Sequence, residues 1–327
     1  MIALYACLCS KSIEIVILMP CIIIEYQFVG LYVDGIPITG PQCKHPPGPS
    51  VRVIMPAMTE RRENCSPERL LSVAIEAARA AGRLLLNYAR SGFRIEHKSP
   101  IDLVTDADHA AEQCAIDRIR KEFPAHRILA EERGVDAQPT SRYKWIIDPL
   151  DGTTNFAHGF PVYAVSIGVE CDSRGVIGVV YDPTRDELFT AQTGEGARLN
   201  GFPIAVSTTE QLGSALLVTG FAYDIRDTPN NNLSHFARFA LQAQGLRRTG
   251  SAALDLCYVA AGRFDGFWEV KLSPWDMAAG VVILREAGGK VTDFDGRPHS
   301  TYQPELVASN GRIHETMLAV IREDLPS

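Results

Sequence analysis

Residues 145–156 read WIIDPLDGTTNF. An apolar run stops at Asp148, a second acid follows at Asp151, and Gly-Thr-Thr comes straight after. A carboxylate closing the strand-like run Trp145-Ile146-Ile147 is half buried, and burying an unpaired charge is costly. A shared cation removes that difficulty. Hard divalent ions take oxygen ligands, and Mg²⁺ usually combines a few carboxylates with waters and a substrate phosphate. In D-P-L-D, both Asp side chains and the Leu150 carbonyl can face one pocket. Pro149 stiffens the turn, and Gly152 lets a ligand approach the backbone. The N–H groups of Gly152 and Thr153 open a helix, a natural anion site. The stretch thus sets cation ligands beside a phosphate cradle, which suits metal-assisted attack on a phosphate ester.

Outward from this stretch, helices and strands alternate. Ser66 and Pro67 are good first residues for a helix, with Leu70, Ala74, Ala77, Ala81 and Leu84 at helical spacing. A second helix follows Thr105-Asp106, with Asp106 as its cap, and stops before Pro124; Ile116, Ile119 and Phe123 share a face. Residues 127–130 and 143–148 read as short strands. VYAVSIGVE, GVIGVVYD and ELFTA are strand-like and close on Asn200-Gly201, a hairpin signal. ALLVT is a strand, 231–244 a helix, and Ser251 caps a helix running to about Ala261. FDGFWE is a strand. Asp276 opens a helix that stops at Gly288-Gly289. KVTDF and LVAS are strands, and a last helix covers 313–323. The mixture predicts a layered α/β or α+β sandwich.

The 327 residues are 46% hydrophobic and 22% charged, with a net charge of -7. This is ordinary globular composition. Its acidity argues against holding nucleic acid by the phosphates and is compatible with cation binding. The eight cysteines include no CxxC pair, so no zinc site is expected; scattered single thiols suggest a reducing, cytoplasmic setting. Residues 1–57 differ from the rest. The apolar run Ile15–Ile24 is broken by Pro20 and too short to span a membrane. Lys11 precedes it as in a signal peptide, but no small-residue cleavage site follows. PQCKHPPGPS, residues 41–50, reads as a linker. Residues 1–57 are expected to lie outside the fold, or to precede a natural start at Met55 or Met58.

Five acids stand at element ends: Asp108, Glu131, Asp148, Asp151 and Asp276. Capping alone could explain Asp151, Asp276 and one of Asp106 or Asp108, and Glu131-Glu132 could be a solvated pair. Asp148 resists that explanation. DPLDGTTNF, with PIDLVTDAD upstream and PWDMAAG downstream, resembles the inositol monophosphatase family of Mg²⁺-dependent, lithium-sensitive phosphatases. The resemblance covers about residues 66–325, and RRTGSAALDLCYVAAGRFDGFWE (247–269) is most similar to bacterial members.

The resemblance implies a layered αβαβα sandwich like that of inositol monophosphatase and fructose-1,6-bisphosphatase, and a homodimer. Residues 58–205 would carry the metal and phosphate site, and 206–327 would add Asp276 and substrate contacts. By position, Glu131, Asp148 and the Leu150 carbonyl would hold a first Mg²⁺; Asp148, Asp151 and Asp276 a second; and Glu131 would also face a third. Thr153 would pair with Asp108 to orient and deprotonate the attacking water, so that no phosphoenzyme forms. Gly152 and Thr153 would hold the phosphate. Asp151, Ser251, Ala252 and Glu269 would contact the rest of the substrate. Lys98 matches a basic residue on an active-site loop. Ala130 departs from the family's usual Gly before the Glu pair.

His109 and His158 are expected at the surface or in structural roles, Trp275 beside Asp276 as packing, and Arg247-Arg248 as solvated or at an interface. The expected substrate is inositol 1-phosphate or a similar polyol phosphate, with fructose 1,6-bisphosphate, histidinol phosphate, 3'-phosphoadenosine 5'-phosphate and NADP as alternatives. Segments 207–232 and 270–274 should shape that choice. No direct nucleic-acid or membrane partner is expected. Some bacterial relatives also bind the transcription machinery and aid ribosomal RNA synthesis, which is the competing role.

Overall fold

A computed structural model describes residues 65–97, 103–135 and 141–323, together with short N-terminal strands. The chain divides into two compact units, Met1–Thr59 and Glu60–Ser327. In the first, Ala3–Cys9, Ser12–Met19 and Ile22–Gln27 form an antiparallel meander, and Tyr32–Val33 pairs with Ile36–Pro37. The linker at 41–50, the alternative starts at Met55 and Met58, and Lys98 lie outside the described residues.

The second unit is built on two sheets. The larger has eight strands. In spatial order they are Phe202–Pro203, Ala197–Leu199, Glu187–Gln192, Arg174–Asp182, Ala164–Cys171, Tyr143–Asp151, Arg127–Ala130 and Gly134–Val135. The smaller has five, in the order Gly245–Arg247, Leu216–Thr219, Gly266–Glu269, Leu306–Ser309 and Lys290–Thr292. Helices α1 (Pro67–Ser91) and α2 (Asp106–Glu122) cover the outer face of the large sheet around Trp145, Ile147 and Ile167. A five-residue α3 (Thr153–Ala157) follows the strand Tyr143–Asp151. Between the sheets lie α5 (Ala252–Ala260) and α6 (Pro274–Glu286). The outer layer is α4 (Leu233–Gln242) and α7 (His314–Arg322), packed on Leu217, Trp268 and Val307. The result is the αβαβα layering.

Several local expectations need correction. Leu85, rather than Leu84, is the fully buried residue that completes the α1 stripe. The cap of α2 is Thr105, with Asp108 closing a capping box; Asp106 instead accepts the Arg94 N–H at 2.9 Å. Helix α6 begins at Pro274 with Ser273 as its cap, and Asp276 is its third residue. The strand expected to stop at Asp148 continues to Asp151. The hairpin Ile95–His97/Leu103–Thr105 and the strands Gly134–Val135 and Gly245–Arg247 were not expected; each is two or three residues long, too short for periodicity to register.

That longer strand explains the motif spacing. Along a strand, side chains alternate faces, so acids three positions apart would point oppositely. Here the pairing shifts: Asp148 faces Ser166, whereas Asp151 faces Ala164. Three steps on one strand oppose two on its neighbour. This bulge turns Asp151 to the side that Asp148 occupies.

Candidate active site

The cavity of about 520 Å³ where the sheets' ends meet is lined by Glu131, Asp151, Gly152, Ser251, Ala252, Glu269 and Asp276. Asp148, Leu150, Thr153 and Asp108 lie buried close behind that wall. The structure thus brings all eleven expected site residues into one region, although the ends of three strands, α2, α3, the start of α5 and α6 supply them separately.

Asp108 is fully buried on the first turn of α2. Its Oδ2 accepts the Thr105 N–H at 2.8 Å and the Thr105 hydroxyl at 2.6 Å. Its Oδ1 accepts the Thr153 hydroxyl at 3.1 Å. The capping box therefore fixes one oxygen and aims the other at Thr153. The Thr153 hydroxyl is also 3.1 Å from the Leu150 carbonyl, and a carbonyl oxygen can accept two partners. Burial raises the Asp108 pKa; hydrogen bonds from Thr105 and Thr153 oppose that rise.

Asp151 accepts the Ser251 hydroxyl at 2.6 Å and the Ala253 N–H at 2.7 Å. It therefore caps α5, together with Ser251, whose hydroxyl also accepts the Leu254 N–H. Burial pushes Asp151 up to about 6, and these hydrogen bonds hold it from going higher. Asp148 stands well above the ordinary carboxylate range, through burial first and then through the charges of Glu131, Asp151 and Asp276. Asp276 is raised likewise, by burial and by Asp151. Asp276 accepts the Ser273 N–H at 2.7 Å, which orients it from its own helix cap.

Among the described residues no base pairs directly with these acids. Among the described ion pairs none includes Asp148, Asp151 or Asp276, and Arg248 at the rim offsets the burial of Asp151 only in part. Buried repelling carboxylates of this kind fit a divalent ion, since carboxylate and carbonyl oxygens are its preferred donors. As placed, no three such side chains among the described residues already stand in ligating positions. The fit therefore rests on donor chemistry and uncompensated charge.

Gly152 has φ 105°, and a Cβ there would meet the Val162 carbonyl at 2.9 Å and the Gly250 carbonyl at 3.2 Å. Only glycine permits both that conformation and that approach. Asn155 spans the same two segments, donating to the Val162 carbonyl at 2.7 Å and the Thr249 carbonyl at 2.9 Å. The Asn of the motif thus ties the Gly152 turn to the segment just before α5. Sequence reasoning left it without a role.

Glu269 ends its strand in the cavity wall, its pKa raised well above normal by burial and then by Asp255. Asp255 was missed from the sequence. It is buried, lines the cavity, and accepts the Thr249 hydroxyl at 2.5 Å. A lone acid inside the apolar run AALDLCYVAA was the available signal. The outer wall is Gly220, Tyr223, Asp224 and Lys271, within the two segments expected to shape specificity. Lys271 pairs with Asp224 at 2.5 Å. His109 and His158 are exposed; Trp275 lines the cavity and packs on Leu129, Ile146 and Ala278.

A model of the inositol monophosphatase family matches residues 66–326. An inositol-1-monophosphatase from Synechocystis is 49% identical over 248 residues, 76% of this chain and 86% of that protein. A Nus factor SuhB from Escherichia coli is 45% identical over 258 residues, 78% of this chain and 97% of that protein. The solved inositol monophosphatase from Anabaena (Nostoc) superimposes with a TM-score of 0.72 at 46% identity, covering 78% of this chain and 95% of that one.

Proposed function

The chain belongs to the inositol monophosphatase family, and from that premise we propose that it is a Mg²⁺-dependent phosphomonoesterase acting on inositol 1-phosphate or a similar polyol phosphate. The observation that carries this reading is the convergence of buried Asp148 and Asp151 with half-buried Asp276, none of them in a described ion pair, beside the Thr153–Asp108 hydrogen bond. Glu131, Asp148 and the Leu150 carbonyl would hold one ion; Asp148, Asp151 and Asp276 a second; and Glu131 would reach toward a third. When bound, the ions supply Lewis acidity and screen the charge of the phosphate.

The chain's own residues supply the rest. A water beside Thr153 gives its proton to Oγ1 as the threonine's own proton moves to Asp108 Oδ1. The water oxygen then bonds to phosphorus, and the P–O bond to the alcohol breaks. The alkoxide leaves as it takes up a proton from solvent water, and Asp108 later returns its proton to solvent. Proton transfer by such a positioned group is typically worth about 10²–10⁴-fold. Gly152 and Thr153 hold the phosphate, and Glu269 accepts hydroxyl hydrogen bonds from the leaving polyol. In this division residues 58–205 carry most of the metal and phosphate site, while 206–327 add the ligand Asp276 and the contacts to the alcohol. The reading includes a cytoplasmic, lithium-sensitive homodimer. No described helix is long and apolar enough to cross a membrane.

The test is phosphate release from inositol 1-phosphate, fructose 1,6-bisphosphate, histidinol phosphate, 3'-phosphoadenosine 5'-phosphate and NADP, with and without Mg²⁺. Mg²⁺-dependent preference for inositol 1-phosphate is expected. Preference for another ester would replace the substrate, and silence across the panel would overturn the reading. A second reading is favoured by the relatives named Nus factor SuhB: a non-catalytic role with the transcription machinery. That role would survive in Asp148→Asn, whereas catalysis would not.

A further inference from the structure

Helix α2 carries a second buried carboxylate, one turn after Asp108. Glu112 is fully buried, four positions on and so on the same helical face. Its Oε2 accepts the Glu132 N–H at 2.8 Å. Its Oε1 lies 3.2 Å from Arg133 Nε, an ion pair without hydrogen-bond geometry.

The strand Arg127–Ala130 ends just before these contacts. The Glu131 N–H still reaches the Ile147 carbonyl of the neighbouring strand, at 3.2 Å. There the parallel pairing stops, and the next N–H is received by Glu112. The two amides on either side of the Glu131 side chain are thus tied to different elements. One holds to the strand that continues into Asp148, the other to the helix that presents Asp108. Stability alone is a poor reason for this arrangement, because burying an ion pair contributes little against an apolar replacement.

We propose that Glu112 is a positioning residue that holds Glu131 toward the cation cluster by fixing the peptide after it. The inference rests on the proposed ligation of a divalent ion by Glu131. Outer carboxylates that orient ligands typically matter about 10- to 100-fold in metal affinity.

The test is calorimetric titration of MgCl₂ into the full metal-free chain, with thermal melts in EDTA alongside. Glu112→Ala should weaken Mg²⁺ binding about tenfold. Glu112→Gln should recover most of that loss, because its amide oxygen can still accept the Glu132 N–H. A merely structural residue would lower the melting temperature and leave Mg²⁺ affinity alone. A folded Glu112→Ala variant with unchanged Mg²⁺ affinity overturns the inference. If that variant does not fold, Glu112→Asp keeps the charge but withdraws the oxygen by a methylene. The same weakening is expected there, and unchanged affinity again overturns the inference. A wild-type chain that binds no Mg²⁺ would overturn the proposed function itself, an outcome distinct from the others.

Discussion

His314, wedged between Thr292 and Ser309 of the five-stranded sheet, is expected to make that sheet sensitive to acid. The ring is fully buried, with Nε2 2.9 Å from Thr292 Oγ1 and Nδ1 2.9 Å from Ser309 Oγ. Thr292 gives its own hydroxyl proton to the Asp293 carbonyl at 2.8 Å, so it must accept from the ring. Ser309 Oγ accepts the Gly311 N–H at 3.0 Å and donates to Nδ1. The network therefore holds the neutral ring with its proton on Nε2, a tautomer assigned from the partners. Burial pushes the pKa from 6.5 down to about 4, with Lys290 adding to the shift and Glu315 opposing it. The unfolded chain takes up this proton first as pH falls. Stability is thus unaffected above the unfolded value, is lost between 6.5 and about 4, and levels off below.

At about 1.4 kcal/mol per unit, the full loss is roughly 3 kcal/mol, most of it reached by about pH 4.5. Asp148, Asp255, Glu269 and Asp276 work in the opposite sense. Their raised pKa values mean that the folded state takes up protons first, so acid stabilises them. His299, also pushed down to about 4, adds to the loss. A difference between two chains removes these shared effects. Urea denaturation of wild type and His314→Gln should be compared at about pH 7.5 and about pH 4.5. Gln keeps one donor and one acceptor but does not titrate. Wild type should lose about 2.5 kcal/mol more than the variant between the two conditions. Equal losses would refute the argument from burial.

Three further outcomes are expected. Asp148→Asn should lower kcat/KM at least about a hundredfold, yet melt no earlier than wild type in EDTA, since one of several repelling buried charges is gone; an early melt would show that Asp148 is structural. Gly220→Ala should raise KM for a polyol phosphate more than it lowers kcat, because a Cβ there would fall 2.2 Å from Glu269 Oε1; steady-state kinetics with unchanged KM would remove Glu269 from alcohol binding. A chain lacking residues 1–57 should keep its phosphatase activity, and loss of activity or solubility on deletion would assign those residues to the fold.

The grouping of Asp148, Asp151, Gly152 and Thr153 in one turn, with carboxylates beside helix-start N–H groups, was legible in the sequence because those residues are neighbours. Proline stiffness, glycine freedom and helix-start donors are properties of the local chain, and so are the apolar periods that mark α1, α2 and the main strands. The family pattern extended that reading to Asp108, Glu131, Glu269 and Asp276. The bulge between Asp148 and Asp151 was not legible, since it depends on how the next strand pairs. Nor was the capping of α5 by Asp151, or the hold of Glu112 on the Glu132 amide. Asn155 was passed over for the same reason: the Thr249 carbonyl to which it donates comes near only in the folded chain. Sequence alone determined which groups could serve the chemistry. Tertiary structure decided which of them face one another, because hydrogen bonds and burial act through space between segments that the chain itself keeps far apart.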